Sequence, residues 1–517
     1  MKKIYVFLLL LIANGIYAQI PEPVILYMEP KHGEGTEQIH NRAYPTFDGN
    51  FFIGIGTASQ TGDFQNFCLG QKNKVVYTKY KADGYSIEWT DCYSDGFGII
   101  DRLPNGEKIL FGNMGNDFQL RKDDANGSTI WTKQYGGSAG ELFKDIISTD
   151  DGGYIAVFQT NSNDGDVGSH YGNQFTMDIW VMKVDSNGDK VWSTVLGGSQ
   201  DERPTCIVPV PGGGCYVLAY TLSNDNDCIT NHGNADVFVA RLDKNGNKSW
   251  AKCFGGTGDD GARSTGIPSA WGVPDGKGGV LIATTTYSAD GDITDHLGKA
   301  DFWLLNIDSS NNILMNVCYG GLNSDEHAQT ICKASDGSLW MGGTSIGNSG
   351  GQVDKNYGGY DGWLVHTDGI GNFLSAKVFG GPNTDEITML QPLNNGLVLV
   401  GGTYWAAGGT VPDTFAGGAT DVFLARIAPW TTHIHEEGQI VNGKLFVYPN
   451  PTNTIVHIQL NGTTKVRNVS IYDISGKRIY RSNSMPDSID VKDWSSGIYT
   501  VEAKTTEEIF STKIIIN

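Results

Sequence analysis

The 517-residue chain lacks several sequence patterns that would assign a chemistry to it. It contains no CxxC pair, so a zinc or thiol redox site has no support, and no HExxH pattern of the kind that binds zinc in metalloproteases. It also lacks the GxxxxGK[ST] pattern of a phosphate-binding loop. No apolar run reaches the eighteen or so residues that a membrane helix needs, and we therefore predict no transmembrane helix.

Basic residues are few: 37 Lys and Arg stand against 57 Asp and Glu, which gives a formal net charge of −20. An acidic molecule repels polyanions at long range, so we predict no nucleic-acid partner. An extracellular glycan or protein remains open as a partner. The same charge is also consistent with a surface that only keeps an exported protein soluble.

The N-terminus has the pattern of a secretory signal. Lys2 and Lys3 precede the apolar residues 6–12, and Ala18 stands at a small-residue cleavage position. The apolar run is too short to cross a bilayer. We predict a signal peptide over residues 1–18, cleaved after Ala18, and a mature protein that is secreted or held at the outer cell surface.

A repeated phrase dominates the rest of the chain. It has the form aromatic-x-x-x-aromatic-Gly-Gly-x-x-x-acid, returns about every sixty residues, and is clearest from Trp131, Trp192 and Trp250, with weaker copies from Met315 and Ser375. A period of this length is typical of repeated supersecondary units. Since long amphipathic helices are absent and turn-forming Gly is abundant, we predict an all-β protein.

Each unit is predicted to form four antiparallel strands, which is the pattern of a β-propeller blade. The glycine of the first turn recurs seven times, as Gly49, Gly106, Gly152, Gly213, Gly278, Gly337 and Gly396. The last unit meets Pro429 before a fourth strand, and residues 25–27 align with the missing strand. We therefore predict a seven-bladed β-propeller over residues 19–429, closed by an N-terminal strand; a β-solenoid or a string of separate sandwiches is the alternative.

Strand direction predicts that the acids of the repeated phrase share one face with the long loops. If the first strand of each blade is innermost, these acids surround the central channel together with Glu37 and Glu141. We predict the following acids as ligand-binding residues: Asp201, Glu202, Asp259, Asp260, Asp325, Glu326, Asp385 and Glu386. A glycosidase-like pair among them is an alternative, although the sequence selects no pair.

The long loops carry their own pattern. Alternate aspartates at Asp164 and Asp166, Asp225 and Asp227, and Asp290 and Asp292 can offer oxygen ligands to Ca²⁺, or can bond to the backbone of their own turns. His170, His232 and His296 follow a few residues later. They are candidates for a ring of ligands, and the alternative is a structural hydrogen bond within each loop.

Three further patterns have structural interpretations. Trp131, Trp192 and Trp250 occupy equivalent fourth-strand positions, where packing between neighbouring blades and stacking on sugar rings are the two options. Cys206 and Cys215 flank a predicted hairpin and form either a disulfide or two buried thiols. The GxSxG pattern at residues 343–347 follows a strand without a subsequent helix, so a nucleophile elbow is not predicted.

The last seventy or so residues differ in composition, and short alternating strands predict a small Ig-like β-sandwich after a linker over residues 430–445. They contain Tyr-Pro-Asn-Pro at 448–451, Ser-Gly-Ile-Tyr at 496–499 and a basic-then-apolar end at 513–516. As a set these phrases closely resemble the C-terminal sorting domain of type IX secretion cargo in Bacteroidetes. The preceding repeats resemble the propeller-type repeats common in such cargo.

The resemblance implies export across the outer membrane through recognition of residues 446–517 by the type IX secretion machinery. Removal of the tail and attachment to the cell surface often accompany such export. Together, the patterns predict a non-catalytic binding or adhesion propeller whose interaction face is formed by the acidic long loops. The alternative is an extracellular polysaccharide hydrolase or lyase on the same scaffold, because a fold does not decide function.

Overall fold

The structure is a computed structural model of the whole chain. It describes the following residues: 24–31, 37–39, 43–46, 49–57, 74–93, 98–103, 105–262, 268–322, 324–347, 351–353, 355–394, 396–405, 409–410, 420–428, 445–448, 454–460, 466–473, 477–486, 488–495, 497–505 and 509–516. The predicted signal peptide at residues 1–18 and residues 430–444 of the predicted linker lie outside this set.

The described part is almost entirely β structure, with one short 3-10 helix, Asn226–Cys228. Its first 29 strands form seven antiparallel sheets. In chain order their bounds are: sheet 1, β2 Glu37–Ile39, β3 Tyr44–Pro45, β4 Phe51–Thr57, β5 Lys74–Tyr80 and β6 Ile87–Tyr93; sheet 2, β7 Gly98–Arg102, β8 Lys108–Met114, β9 Asp117–Asp123 and β10 Thr129–Tyr135; sheet 3, β11 Glu141–Ser148, β12 Tyr154–Thr160, β13 Asp178–Val184 and β14 Lys190–Leu196; sheet 4, β15 Glu202–Pro209, β16 Cys215–Thr221, β17 Asp236–Leu242 and β18 Lys248–Phe254; sheet 5, β19 Trp271–Pro274, β20 Val280–Thr286, β21 Asp301–Ile307 and β22 Ile313–Tyr319; sheet 6, β23 Asp325–Lys333, β24 Leu339–Ile346, β25 Asp361–Thr367 and β26 Phe373–Phe379; sheet 7, β27 Asp385–Pro392, β28 Val398–Tyr404, β29 Asp421–Ala428 and β1 Val24–Lys31.

Sheets 2 to 6 each run through four consecutive strands of the chain. The turn between the first and second strands holds the predicted glycine at positive φ in all seven sheets, for example φ 80° at Gly152 and 97° at Gly213. Only glycine adopts this conformation without a steric penalty. The predicted hairpins and their spacing of about sixty residues are confirmed.

Neighbouring sheets share hydrophobic cores. One cluster joins sheet 3 to sheet 4 and contains Val157 and Val217, and another joins sheet 4 to sheet 5 and contains Val239 and Trp303. Further clusters join sheets 1 and 2, 2 and 3, 5 and 6, and 6 and 7. A final cluster, which includes Phe51 and Leu424, joins sheet 7 back to sheet 1. Cyclic packing of four-stranded sheets is typical of a β-propeller.

The N-terminal strand belongs to the last sheet. β1 pairs antiparallel with β29, with Val24 opposite Ala428, Ile25 opposite Ile427 and Lys31 opposite Val422. Sheet 7 therefore has the order β1-β29-β28-β27. The predicted supply of the fourth strand by residues 25–27 is confirmed, and it covers the edge of β29 that would otherwise be unpaired.

The repeated tryptophans pack between neighbouring sheets, which is one of the two predicted options. Trp192 on sheet 3 donates from Nε1 to the Lys244 carbonyl at 3.1 Å, and its ring covers Gly246 in the last turn of sheet 4. Trp250 makes the same kind of bond to the Ser309 carbonyl of sheet 5, also at 3.1 Å.

Cys206 and Cys215 are buried free thiols. Of the two alternatives left open by the sequence, the structure therefore shows the buried thiols and not the disulfide, because the two side chains point to opposite faces of sheet 4. Cys206 lies in the core shared with sheet 5, whereas Cys215 lies in the core shared with sheet 3.

The C-terminal residues form two further sheets. Their strands are β30 Leu445–Tyr448, β31 Ile455–Leu460, β32 Asn468–Tyr472, β33 Arg478–Ser482, β34 Ile489–Asp490, β35 Gly497–Lys504 and β36 Ile509–Ile516. One sheet has the order β30-β31-β34 and the other β33-β32-β35-β36. A single core that includes Val456, Val469 and Ile514 lies between them. Among the residues that the structure describes, no helix is long and apolar enough to span a membrane.

Candidate binding surfaces around the central channel

Two ends of the repeat region can be defined from strand direction. In sheets 3, 4, 6 and 7 the first strand begins at the acids of the repeated phrase and ends at the tight first turn. The long loops between second and third strands therefore lie at the end where the first strands begin, which we call the loop face. The opposite end, with the tight turns, is the turn face.

On the loop face, pairs of buried acids join neighbouring sheets. In each pair one acid begins the third strand of a sheet, and the other follows the Gly-Gly step that leads to the next sheet. This second acid lies at the start of the first strand in three pairs, whereas Asp260 precedes the first strand of its sheet. The two acids of a pair enclose the first glycine of the Gly-Gly step, so that a Cβ placed on Gly197 would collide with Asp178 and Glu202. The fully buried pairs are Asp178 with Glu202, Asp236 with Asp260, Asp301 with Glu326, and Asp361 with Asp385.

The second acid of each pair accepts hydrogen bonds from its own connection and strand. Glu202 accepts from the Thr221 hydroxyl at 2.6 Å and from the Gly198 amide at 2.9 Å. Asp260 accepts from the Ser288 hydroxyl at 2.7 Å, and the Glu141 carboxylate accepts from the Thr160 hydroxyl at 3.0 Å. These contacts fold the Gly-Gly connection over the carboxylate.

Burial changes the ionisation of these acids. It raises the pKa of Glu326 and of Asp385 to about 7, and that of Asp236 to about 6. Burial also raises the pKa of both Asp178 and Glu202, which face each other. Two carboxylates that face each other disfavour double ionisation, and one proton held between them would supply the donor that Asp178 Oδ1 lacks among the described residues.

Paired acids with raised pKa values are also a hallmark of acid catalysis, but accessibility argues against that role here. Asp178, Glu202, Asp301 and Glu326 have no solvent exposure. The arrangement recurs in successive sheets, each time with a glycine packed against it. The acid pairs therefore act as structural joints that hold neighbouring sheets together. Ligand binding by Glu202, Asp260, Glu326 and Asp385 stays a prediction that these contacts do not favour.

The neighbouring acids reach the solvent. Asp201 is 27% exposed, accepts from the Met177 amide at 3.1 Å and pairs with Arg203 at 3.5 Å. Asp325 is 24% exposed and lies 3.0 Å from His327 Nε2. Asp259 is half-buried. In sheet 7 the order is reversed, since Asp385 is the buried acid and the half-buried Glu386 follows it and accepts from Gln329 Nε2 at 3.1 Å.

The alternate aspartates of the long loops bond to the backbone of the connection that faces them, not to their own turns. Asp164, Asp225 and Asp290 accept from the amides of Ser138, Ser199 and Thr257 at 2.7, 2.8 and 2.8 Å. Asp166, Asp227 and Asp292 accept from the first glycine amide of the same connections at 3.4, 3.2 and 3.2 Å. In the described part of the chain, no group of three or more acidic, His or Cys side chains converges as metal ligands. Calcium binding stays a prediction.

The three loop histidines each contact residues of their own loop. His170 Nε2 lies 3.0 Å from the Thr176 carbonyl, and His232 Nδ1 lies 2.8 Å from Asp236 Oδ2. His296 Nε2 lies 3.9 Å from Asp301 Oδ2. The contacts of His170 and His232 match the structural option, whereas His296 Nε2 has no hydrogen-bond partner among the described residues. A role of the three histidines in ligand binding stays a prediction. Asn356 holds the equivalent loop of sheet 6, while Thr414 lies outside the described residues.

The loop face also exposes large apolar side chains, which sequence analysis missed. Phe175 is 82% exposed, Ile229 71%, Leu322 58% and Trp405 49%. All four lie in long loops or Gly-Gly connections. A bulky apolar residue inside an otherwise polar loop was the available signal, because such loops normally carry polar residues.

At the turn face, the first strands of the sheets surround a cavity of about 600 Å³. Its wall includes Ile100, Ile147, Val208, Trp271, Ile331 and Leu390, which come from sheets 2 to 7, and Tyr44 from sheet 1. The first strands are therefore the innermost strands, as predicted. The cavity lies at the end of the channel away from the predicted acidic site.

Comparison with known proteins identifies the C-terminal region. Residues 446–517 match the family described as the secretion system C-terminal sorting domain. This tail confirms the type IX secretion resemblance and implies export to the cell surface or the medium. None of the curated proteins compared with the chain is significantly similar to it.

Solved structures similar to the chain include the Pan2 WD40 domain of Neurospora crassa, with 10% identity, a TM-score of 0.38, and coverage of 80% of this chain and 97% of that one. Another is the extracellular domain of a putative one-component system from B. thetaiotaomicron, with 11% identity and a TM-score of 0.38. That match covers 93% of this chain, which spans 57% of the length of the other protein.

Proposed function

We propose that this protein is a non-catalytic binding module, exported by type IX secretion, that attaches to extracellular glycans through the loop face of its repeat region. The observation that carries the proposal is the group of exposed apolar side chains at Phe175, Ile229 and Trp405 on that face. Exposed apolar residues such as Ile130 and Ile370 also lie near the turn face. Those of the loop face share it with partly exposed acids, and this combination fits an interaction surface.

The surroundings of these side chains fit a glycan. Aromatic rings such as Phe175 and Trp405 offer flat apolar faces to sugar rings. Asp201, Asp259, Asp325 and Glu386 lie on the same face and are partly exposed, and their carboxylates can accept hydrogen bonds from sugar hydroxyls. An extracellular protein with basic groups is the other partner that this chemistry allows.

The scaffold of the proposal is a seven-bladed propeller over residues 19–429, closed by β1, and followed by an Ig-like sorting domain. Seven sheets that pack in a cycle support the blade count among the described residues. A signal peptide cleaved after Ala18 would deliver the chain to the periplasm, and the tail would then direct it across the outer membrane. Surface attachment would place the loop face in contact with extracellular polymers.

The alternative of a polysaccharide hydrolase or lyase has less support. Such an enzyme needs two accessible carboxyl groups at a defined separation. Those with the most strongly raised pKa values here, including Glu326 and Asp385, are fully buried.

A glycan array tests the proposal. The chain, in Ca²⁺ and in EDTA, would be compared with a loop-face variant carrying Phe175→Ser, Ile229→Ser and Trp405→Ser. We expect binding to defined soluble glycans, and an affinity at least about tenfold lower in the variant, because truncating the few side chains that anchor a binding surface costs more than about 1 kcal/mol each. Loss of binding in EDTA would in addition support the predicted Ca²⁺ sites.

The matched control is Ile370→Ser. Ile370 is 73% exposed but lies in a tight turn between the third and fourth strands of sheet 6, on the turn face. It should bind like the unaltered chain. If the loop-face variant also binds normally, the proposed surface is wrong; if defined glycans release sugar products on incubation, the non-catalytic assignment is wrong.

A further inference from the structure

The cavity at the turn face is separate from the proposed glycan surface. Its deep wall is formed by buried side chains, among them Ile100, Val208 and Ile331. Its rim contains Pro209 and Pro274, which are exposed and end the first strands of sheets 4 and 5. The cavity therefore opens towards the solvent at the turn face, and a small molecule can enter there without moving the loop face.

The wall is predominantly apolar. Ile147, Trp271, Val273 and Leu390 extend the buried patch along the sides, and the few polar groups include Ser148, Thr330 and Gln391. A cavity of about 600 Å³ lies within the range of roughly 300 to 1,000 Å³ that holds small organic ligands. Apolar walls with few polar groups favour a ligand whose body is hydrocarbon.

One positive charge stands at this cavity. Lys333, the last residue of β23, is the one charged residue among the lining residues that the structure describes. Its Nζ donates to the Asp275 carbonyl at 2.6 Å. An ammonium group has three donors, so two remain for a ligand. In the described residues no carboxylate forms an ion pair with Lys333.

We propose that this cavity binds an anionic amphiphile, with the hydrocarbon body against the first strands and the carboxylate or similar anionic end at Lys333. The order of the groups fits such a molecule. The buried apolar residues lie inside, and the ammonium group lies at the end of β23, near the rim. An anionic end group there keeps most of its hydration while it accepts charge-assisted hydrogen bonds from Lys333.

Calorimetric titration of the full chain with three ten-carbon probes tests the proposal. Decanoate, decanol and decylammonium share the hydrocarbon body and differ in the end group. With all probes below their micelle concentrations, we expect decanoate to bind about tenfold more tightly than decanol, because a hydrogen bond to a charged group contributes about 1.5 kcal/mol or more. Decylammonium should bind most weakly.

Two variants distinguish the contribution of the Lys333 charge from that of the cavity volume. Lys333→Met keeps the apolar stem and removes the charge, so it should lower the affinity for decanoate about tenfold and leave that for decanol unchanged. Ser148→Phe places a ring into the cavity and should abolish binding of all three probes. Lys252→Met removes a charge from the outer strand β18, which does not line the cavity, and serves as the control, with affinities equal to those of the unaltered chain.

Several outcomes would overturn the proposal. Equal affinities for the three probes, or a loss of decanol binding in Lys333→Met, would show that Lys333 does not recognise an anionic end. If none of the probes binds to the full chain, the proposed site is wrong. This holds also if residues 430–444 or a second copy of the chain occupy the cavity. Thermal unfolding identifies variants that fail to fold, and Gln391→Phe on sheet 7 then replaces Ser148→Phe as the filling variant.

Discussion

The two faces of the repeat region join neighbouring sheets with different chemistry. On the loop face, the joints are buried acid pairs such as Asp178 with Glu202, together with aspartate bonds to the facing connections. On the turn face, the joints are aromatic rings on tight turns, as with Trp192 on Gly246. One repeat can therefore carry two kinds of contact between sheets: an acid pair whose stability depends on protonation and a tryptophan contact whose stability does not.

The largest effect on stability is expected from removal of one acid of a loop-face pair. Glu202→Ala deprives the Thr221 hydroxyl and the Gly198 amide of their acceptor and leaves Asp178 buried without its partner. We expect the free energy of unfolding to fall by about 3 kcal/mol, measured by denaturant titration.

The neighbouring acid is the matched control. Asp201→Ala removes a partly exposed carboxylate whose ion pair with Arg203 is 3.5 Å long, and it should cost less than about 1 kcal/mol. Equal losses in the two variants would show that the buried pair is not the joint.

The turn face can be tested with two glycines that have similar backbone conformations. Gly246 has φ 80° and Gly127 has φ 88°, each in the last turn of its sheet. A Cβ on Gly246 would lie 2.5 Å from the Trp192 ring, whereas a Cβ on Gly127 would meet nothing within 4 Å.

Both Gly→Ala changes introduce the strain of positive φ, about 1 kcal/mol. Gly246→Ala should therefore lower the free energy of unfolding by about 2 kcal/mol more than Gly127→Ala, through overpacking against Trp192. Similar losses would mean that the tryptophan does not tie the sheets together.

The third test concerns pH. The pKa values of Glu326 and Asp385 in the folded protein are raised to about 7, above their values in the unfolded chain. The folded state therefore holds protons that the unfolded state releases, so this contribution to stability is complete below about pH 4 and is lost as pH rises to about 7. We expect the midpoint of thermal unfolding to fall by about 5 °C between pH 5 and pH 8.

A variant assigns this pH effect to the loop face. Asp178→Asn keeps a group that can donate to Glu202 and removes one titrating acid, so its unfolding midpoint should depend less on pH. Trp192→Phe, a change at the turn face, should leave the pH dependence unaltered. A midpoint that rises between pH 5 and pH 8 in the unaltered chain would contradict the shared-proton account.

The period of the sequence was sufficient to predict strands, turns and the closing role of residues 25–27, because side-chain alternation and turn glycines are local signals. The roles of the acids were harder to predict. Glu202 and Asp201 are adjacent and chemically similar, yet one is buried and the other partly exposed. Which neighbour turns inward depends on strand register, which a linear pattern does not specify.

The surfaces proposed for binding were missed for a related reason. Residues that recur in several sheets, such as Gly246 and Glu202, serve contacts between sheets. Phe175, Trp405 and Lys333 do not recur, so a search for repetition passed over them. The cavity is also assembled from strands that lie far apart in the chain, and its volume depends on how seven first strands approach one another.

The pairing of β1 with β29 has a consequence for the order of events during export. Val24 lies opposite Ala428, so the final sheet needs segments separated by about four hundred residues. If the chain emerges with its N-terminus first, β1 has no strand to pair with until almost the whole repeat region has followed. Pairing between segments so far apart in the chain is slow. The same pairing brings Val24 beside Ala428, so a label fused before Val24 would report on whether the last sheet has formed.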